Sequence, residues 1–151
     1  MLKQLSLLFS TLLLTGSGLA AEWVPVTGRW INSDGILAEY SDSVAKDGQP
    51  LWAVAGKGSP NRLSVNLRTR DGAGAVLLAL RWQNSGNYYA LRYSDPHRKL
   101  EILKRVNGRE TILASRENAA TDSPQKKPLL LTFEVRGSDL IAKAGSTALT
   151  A

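Results

Sequence analysis

Apolar and polar residues alternate with a period of two along most of the chain. Leu63, Val65, Leu67 and Thr69 are interleaved with Arg62, Ser64, Asn66, Arg68 and Arg70. That is the pattern of a half-buried strand, whose successive side chains point to opposite faces of a sheet. Asp71-Gly72-Ala73-Gly74 reads as a turn. Ala75 to Gln83 reads as the next strand, with Val76, Leu78, Leu80 and Trp82 sharing one face. Further strands follow at Tyr88–Ser94, Lys99–Val106 and Arg109–Ser115, separated by Asn84-Ser85-Gly86-Asn87, Asp95-Pro96-His97-Arg98 and Asn107-Gly108. Asn-Gly between two alternating runs is the strongest short-range hairpin signal.

These hairpins constrain one another. Pairing Gln83 with Tyr88 sets Trp82 opposite Tyr89 and Leu80 opposite Leu91. Pairing Ser94 with Lys99 sets Tyr93 opposite Leu100 and Leu91 opposite Ile102. Pairing Val106 with Arg109 sets Ile102 opposite Leu113. One apolar face survives all three turns, although a slip of one residue at any of them would reverse it. A continuous antiparallel meander is therefore predicted, with Trp82, Tyr89 and Tyr93 facing the core. Its other face reads as polar and solvated, with Leu103 and Ile112 as apolar exceptions. On that face Arg92 falls opposite Glu101, Arg105 opposite Glu110, and Tyr88 opposite Arg105. The two opposite-charge pairs favour the pairing.

Residues 116–127 break the alternation and read as a polar surface loop. A strand over Pro128–Arg136 follows, with Leu129, Leu131, Phe133 and Val135 on one face. Asp139–Lys143 and Ser146–Thr150 are shorter strands. Upstream, Trp23–Trp30 and Ile36–Tyr40 flank Asn32-Ser33-Asp34-Gly35 as a hairpin, and Leu51–Ala55 is a further strand. Many short strands joined by turn signals predict an all-β, antiparallel two-sheet sandwich.

The first residues follow a different pattern. Lys3 precedes an uncharged apolar run of ten residues, Leu5 to Leu14, and small residues follow as far as Ala21. That order is a secretory signal peptide, with cleavage expected after Ala20 and, as the second choice, after Ala21. The run is too short to cross a bilayer, which takes about 20 residues. The expected division is a signal peptide at 1–20 and one β-sandwich domain at 21–151, exported to the periplasm or secreted, with no membrane span in the mature protein. The chain carries 19 Lys and Arg against 13 Asp and Glu, a net charge of +6 that falls by one if Lys3 is removed. No run of Lys and Arg exceeds two residues, which speaks against a nucleic-acid-binding tail. There is no cysteine, so an exported domain of this sequence rests on its apolar core alone.

The run Ala73–Gln83, the Asn87-Tyr88-Tyr89-Ala90-Leu91-Arg92 strand and its continuation Leu100–Ser115 resemble the concanavalin A-like lectin/glucanase superfamily. The nearest cousins are secreted laminin-G-like and 3-keto-disaccharide hydrolase-type domains. The resemblance implies a jelly roll whose concave sheet often faces carbohydrate. Such domains usually continue beyond the point where this chain ends. A shortened sheet would leave an open edge, at which two copies could pair as a homodimer.

Chemistry is sparse. The glucanase branch carries Glu-x-Asp-x-x-Glu on one strand, and this sequence has no such run. His97 is the single histidine and falls in a turn. No nucleophile elbow, metal-ligand cluster or cofactor motif is found, and Asp34, Asp42 and Asp47 are scattered. The expectation is a non-catalytic carbohydrate-binding module that uses no cofactor and no metal. The candidate ligand face is Tyr88, Arg92, Glu101 and Arg105, with Arg81 beside them. A ring can stack on the C–H face of a sugar, and arginine forks suit carboxylates, which suggests anionic glycans. Two other functions fit the sequence: a 3-keto-glycoside hydrolase-type domain, and a periplasmic protein-interaction module.

Overall fold

The computed structural model describes the strand backbones at 10–13, 23–25, 30–33, 36–39 and 53–55. It describes residues 61–68, 75–95, 97–121 and 123–151 with their side chains. The elements are β1 (Ser10–Leu13), β2 (Trp23–Pro25), β3 (Trp30–Ser33), β4 (Ile36–Glu39), β5 (Ala53–Ala55), β6 (Arg62–Arg68), β7 (Ala75–Asn84), β8 (Asn87–Ser94), β9 (Lys99–Val106), β10 (Arg109–Arg116), β11 (Leu129–Arg136), β12 (Asp139–Ala144) and β13 (Thr147–Thr150). All described pairings are antiparallel, and the fold is a β-sandwich. One sheet runs β13-β12-β11-β6-β1-β4-β3, the facing one β10-β9-β8-β7, and β2 pairs with β5 in a small separate ribbon. Among the described residues there is no helix, hence none long and apolar enough to cross a membrane.

The meander β7–β10 forms in the expected order. Between β8 and β9 the register is as read, with Tyr93 opposite Leu100 and Leu91 opposite Ile102. The Asn107-Gly108 turn has φ of 49° and 79° at its two residues. Two left-handed residues are what a type I′ hairpin requires, because its twist then matches that of the strands. The backbone N–H of Gly108 donates to the Gly86 carbonyl at 3.0 Å, and the N–H of Asn107 donates to Asn87 Oδ1 at 3.0 Å. Two neighbouring hairpin ends are thereby tied together.

Two bulges depart from strict alternation. In β7 the pairing jumps from Leu80–Tyr89 to Asn84–Asn87, so that Arg81, Trp82 and Gln83 oppose Tyr88 alone. Arg81 has a φ of 53°. Leu80 therefore lies opposite Tyr89, not Leu91, and Trp82 turns to the outer face instead of the core. In β10 the register shifts between Ile112 and Ala114. Ala114, not Leu113, then meets Ile102 and packs on the core, while Leu113 is exposed. Extra residues of this kind break the period locally and re-aim the side chains beyond them.

The core lies between the sheets. Leu63, Val65 and Leu67 of β6, Leu129, Leu131 and Phe133 of β11, and Leu140, Ala142 and Ala144 of β12 meet Leu78, Leu80, Leu91, Tyr93, Leu100 and Ile102 of the facing sheet. Each large side chain removed from water here contributes roughly 1.5–3 kcal/mol. Two expectations are corrected. The segment 117–128 is not wholly a surface loop: Ala119 and Ala120 join the core, Pro124 is fully buried, and the Ala119 N–H donates to the Arg98 carbonyl at 2.7 Å. Upstream, only β3 pairs with β4, while β2 pairs with β5. The Tyr93 hydroxyl is buried with no hydrogen-bond partner among the described residues. Burial and the charge of Asp95, partly countered by Arg98, push its pKa up to about 12, so it stays a neutral phenol.

At one margin β13 pairs with β12 and forms the edge of its sheet. β1 lies between β6 and β4. Residues 1–9 and 14–22, Trp52, Asp34, Asp42, Asp47 and Thr69 lie outside the described residues, as do the side chains of Trp23 and Trp30.

Candidate functional site

The outer face of the four-stranded sheet carries the charged residues. Its middle is less wet than the sequence suggests: Tyr88, Ala90, Leu103 and Glu101 are all buried. The arrangement of Arg92 explains part of this. Its Nε donates to Glu101 Oε2 at 2.7 Å, and its Nη1 donates to Glu110 Oε1 at 2.7 Å. Cross-strand register puts Glu101 opposite Arg92 but Glu110 opposite Arg105. The row Ala90–Leu103–Ile112 lies between those two positions. The Arg92 side chain therefore passes over that row on its way to Glu110, and Leu103 beneath is fully buried.

Glu101 also accepts from Lys99 Nζ at 2.9 Å. Its side chain is 5% exposed, against 26% for Arg92 and 35% for Glu110. Burial by itself would raise the Glu101 pKa. The hydrogen bonds and positive charges of Lys99 and Arg92 outweigh it and hold the carboxyl below its ordinary value. Arg92 is likewise held charged, burial being outweighed by its two glutamates.

The neighbouring half of the face is aromatic. Trp82 stacks on Tyr88 with ring centroids 5.5 Å apart and planes at 22°. Arg105 Nη1 donates to Tyr88 Oη at 3.4 Å, and Arg105 Nε donates to the Gly108 carbonyl at 3.1 Å.

The candidate residues are thus distributed unevenly. Arg92 and Glu101 are brought together, and Glu110 joins them. Tyr88 and Arg105 touch each other. The expected Arg105–Glu110 pair is not made, because Glu110 is taken by Arg92. Tyr88 is no open platform, being 2% exposed and lying against Trp82. Arg81 leaves the group, since the bulge turns it to donate from Nη2 to Asn61 Oδ1 at 2.8 Å. Sequence reasoning missed Glu110 as a partner of Arg92 and Trp82 as an outer-face residue. His97 is exposed in its turn.

The fold is an antiparallel two-sheet β-sandwich with an ionic and aromatic outer face. A solved structure titled as the carbohydrate-binding module CBM66 from Bacillus subtilis matches it with a TM-score of 0.66 at 21% identity. The match covers 85% of this chain and 78% of that one, and at that identity the likeness is one of fold. No protein-family model and no curated protein matches the chain.

Proposed function

We propose that this chain is an exported, non-catalytic carbohydrate-binding module of the concanavalin A-like type, reading neutral sugars on the outer face of its four-stranded sheet. The likeness to a carbohydrate-binding module supports the class. The observation that carries the site is the fixed array around Arg92. A buried carboxylate, a partly exposed carboxylate and a guanidinium are locked at 2.7 Å on an outward face. Sugar hydroxyls both donate and accept, and they suit such an array of placed donors and acceptors. An anionic glycan suits it less, because Arg92 is already engaged by two protein carboxylates. The lowered pKa of Glu101 speaks against that residue as a glycosidase's general acid, which needs a raised one.

Affinity gel electrophoresis of the protein in a β-glucan, a mannan and polygalacturonate tests the reading. A neutral polysaccharide should retard the protein, and Glu110→Gln should weaken that affinity roughly tenfold, the size of one charge-assisted hydrogen bond. Absence of retardation by every neutral polymer, or by all but polygalacturonate, overturns the proposal.

Export rests on Lys3, the apolar run and the small residues before Ala21. Cleavage after Ala20 would take β1 away and leave β6 and β4 without the strand between them. The intact mass of protein recovered from the periplasm or medium should lack residues 1–20. A full-length mass there would count against cleavage.

A further inference from the structure

We infer that Trp82, carried to the outer face by the bulge at Arg81, is the surface on which the apolar face of a sugar ring stacks, with Arg105 supplying donors beside it. This rests on the carbohydrate-binding reading and adds a contact that alternation along β7 places in the core.

Val76, Leu78 and Leu80 all point inward, and one more step of two would bury Trp82 with them. The chain instead sets three residues against Tyr88 and holds Arg81, which is not a glycine, at a φ of 53°. L-residues enter that region at a conformational cost. The outcome is a large apolar side chain moved out of the main core into the outer cluster of Tyr88, Ala90 and Leu103. Burial in the main core does not explain such a placement, and bulges recur where a side chain must be re-aimed at a functional surface.

The surroundings specify the kind of ligand. Trp82 keeps part of its surface exposed, while Tyr88 backs it as a buried, nearly parallel ring. An indole held in this way loses little rotamer freedom when a ligand arrives. Register continues the line across the sheet, since Tyr88 lies opposite Arg105 and Arg105 opposite Glu110. Arg105 is anchored through Nε to Gly108 and through Nη1 to Tyr88. At strand spacings of about 4.8 Å, the row from β7 to β10 runs about 14 Å. It offers a flat apolar surface at one end, donors in the middle and a carboxylate acceptor at the other. A neutral sugar chain lying across the strands has matching parts: C–H faces for the indole and hydroxyls for Arg105 and Glu110.

The test uses the full chain and the neutral polysaccharide that retards the wild type most. Trp82→Ala should lose at least tenfold in affinity, and Trp82→Tyr should recover most of it. Saturation should change the tryptophan emission of the wild type, and Trp82→Phe should abolish that change, which a purely structural residue would not do. If Trp82→Ala does not fold, the emission of Trp82→Phe decides, and a saturation-induced change that persists in that variant overturns the stacking role. Wild-type affinity in Trp82→Ala overturns the stacking role and, with Glu110→Gln weakened, leaves sugar binding standing. Failure of every neutral polymer to retard the wild type overturns both.

Discussion

Phe133→Ala is expected to destabilise the domain by about 3–5 kcal/mol, the range for emptying a fully buried aromatic position. Phe133 is fully buried, lies opposite Leu63 on β6 and Ala142 on β12, and belongs to the cluster that joins the two sheets. The surrounding side chains relax only partially into such a space, so the loss includes both transfer from water and the cavity left behind. Against a total stability of about 5–15 kcal/mol, a change of this size leaves a marginal fold. Urea denaturation followed by far-UV circular dichroism measures it. Leu130 is the internal control, because it lies on the opposite face of the same strand and is 45% exposed. Leu130→Ala should stay within about 0.5 kcal/mol of the parent. Equal effects at the two positions would mean that β11 does not present its odd-numbered residues to the core.

Arg92→Ala should have the next largest effect, about 2 kcal/mol at neutral pH. Removing one member of a buried ion pair costs about 3–5 kcal/mol, because the remaining charge is stranded. The cost is smaller here, since Arg92 is 26% exposed and Lys99 still meets Glu101 at 2.9 Å. The effect should depend on pH in a definite direction. The pKa of Glu101 is lowered by folding, so near and below pH 4.5 the unfolded chain binds more protons at this group than the folded one. Its contribution is then complete above the unfolded value and disappears as the pH falls through the folded value. The difference between wild type and Arg92→Ala should therefore be widest at pH 7 and narrow by pH 3. Urea titrations at the two pH values measure it. A difference that stays constant, or grows in acid, would show that the Arg92–Glu101 contact does not stabilise the fold.

Much of the sandwich could be read from local pattern because the relevant physics is local. Leu63, Val65 and Leu67 alternate with polar neighbours and do point inward. Asn107 and Gly108 tolerate positive φ, and the hairpin they predict is present. Arg92 and Glu101 face each other because a short turn fixes the offset between β8 and β9. The misplaced residues mark where local reasoning ends. Nothing in Leu80-Arg81-Trp82 announces a bulge, since arginine has no preference for the left-handed region that would flag it. The shift at Leu113 is equally silent.

Period and turn chemistry act over a few residues, so the chain's own order was enough to define an all-β fold, its β7–β10 meander and most of its core. Partnerships between distant segments depend on distances that no short window contains. Only packing in three dimensions placed β6 and β7, neighbours in sequence, in opposite sheets. It also carried Arg92 over Leu103 to Glu110 and moved Trp82 from the core to the outer surface. A side chain's reach and a bulge's hand are decided by neighbours brought together through folding, and here those neighbours form the candidate site.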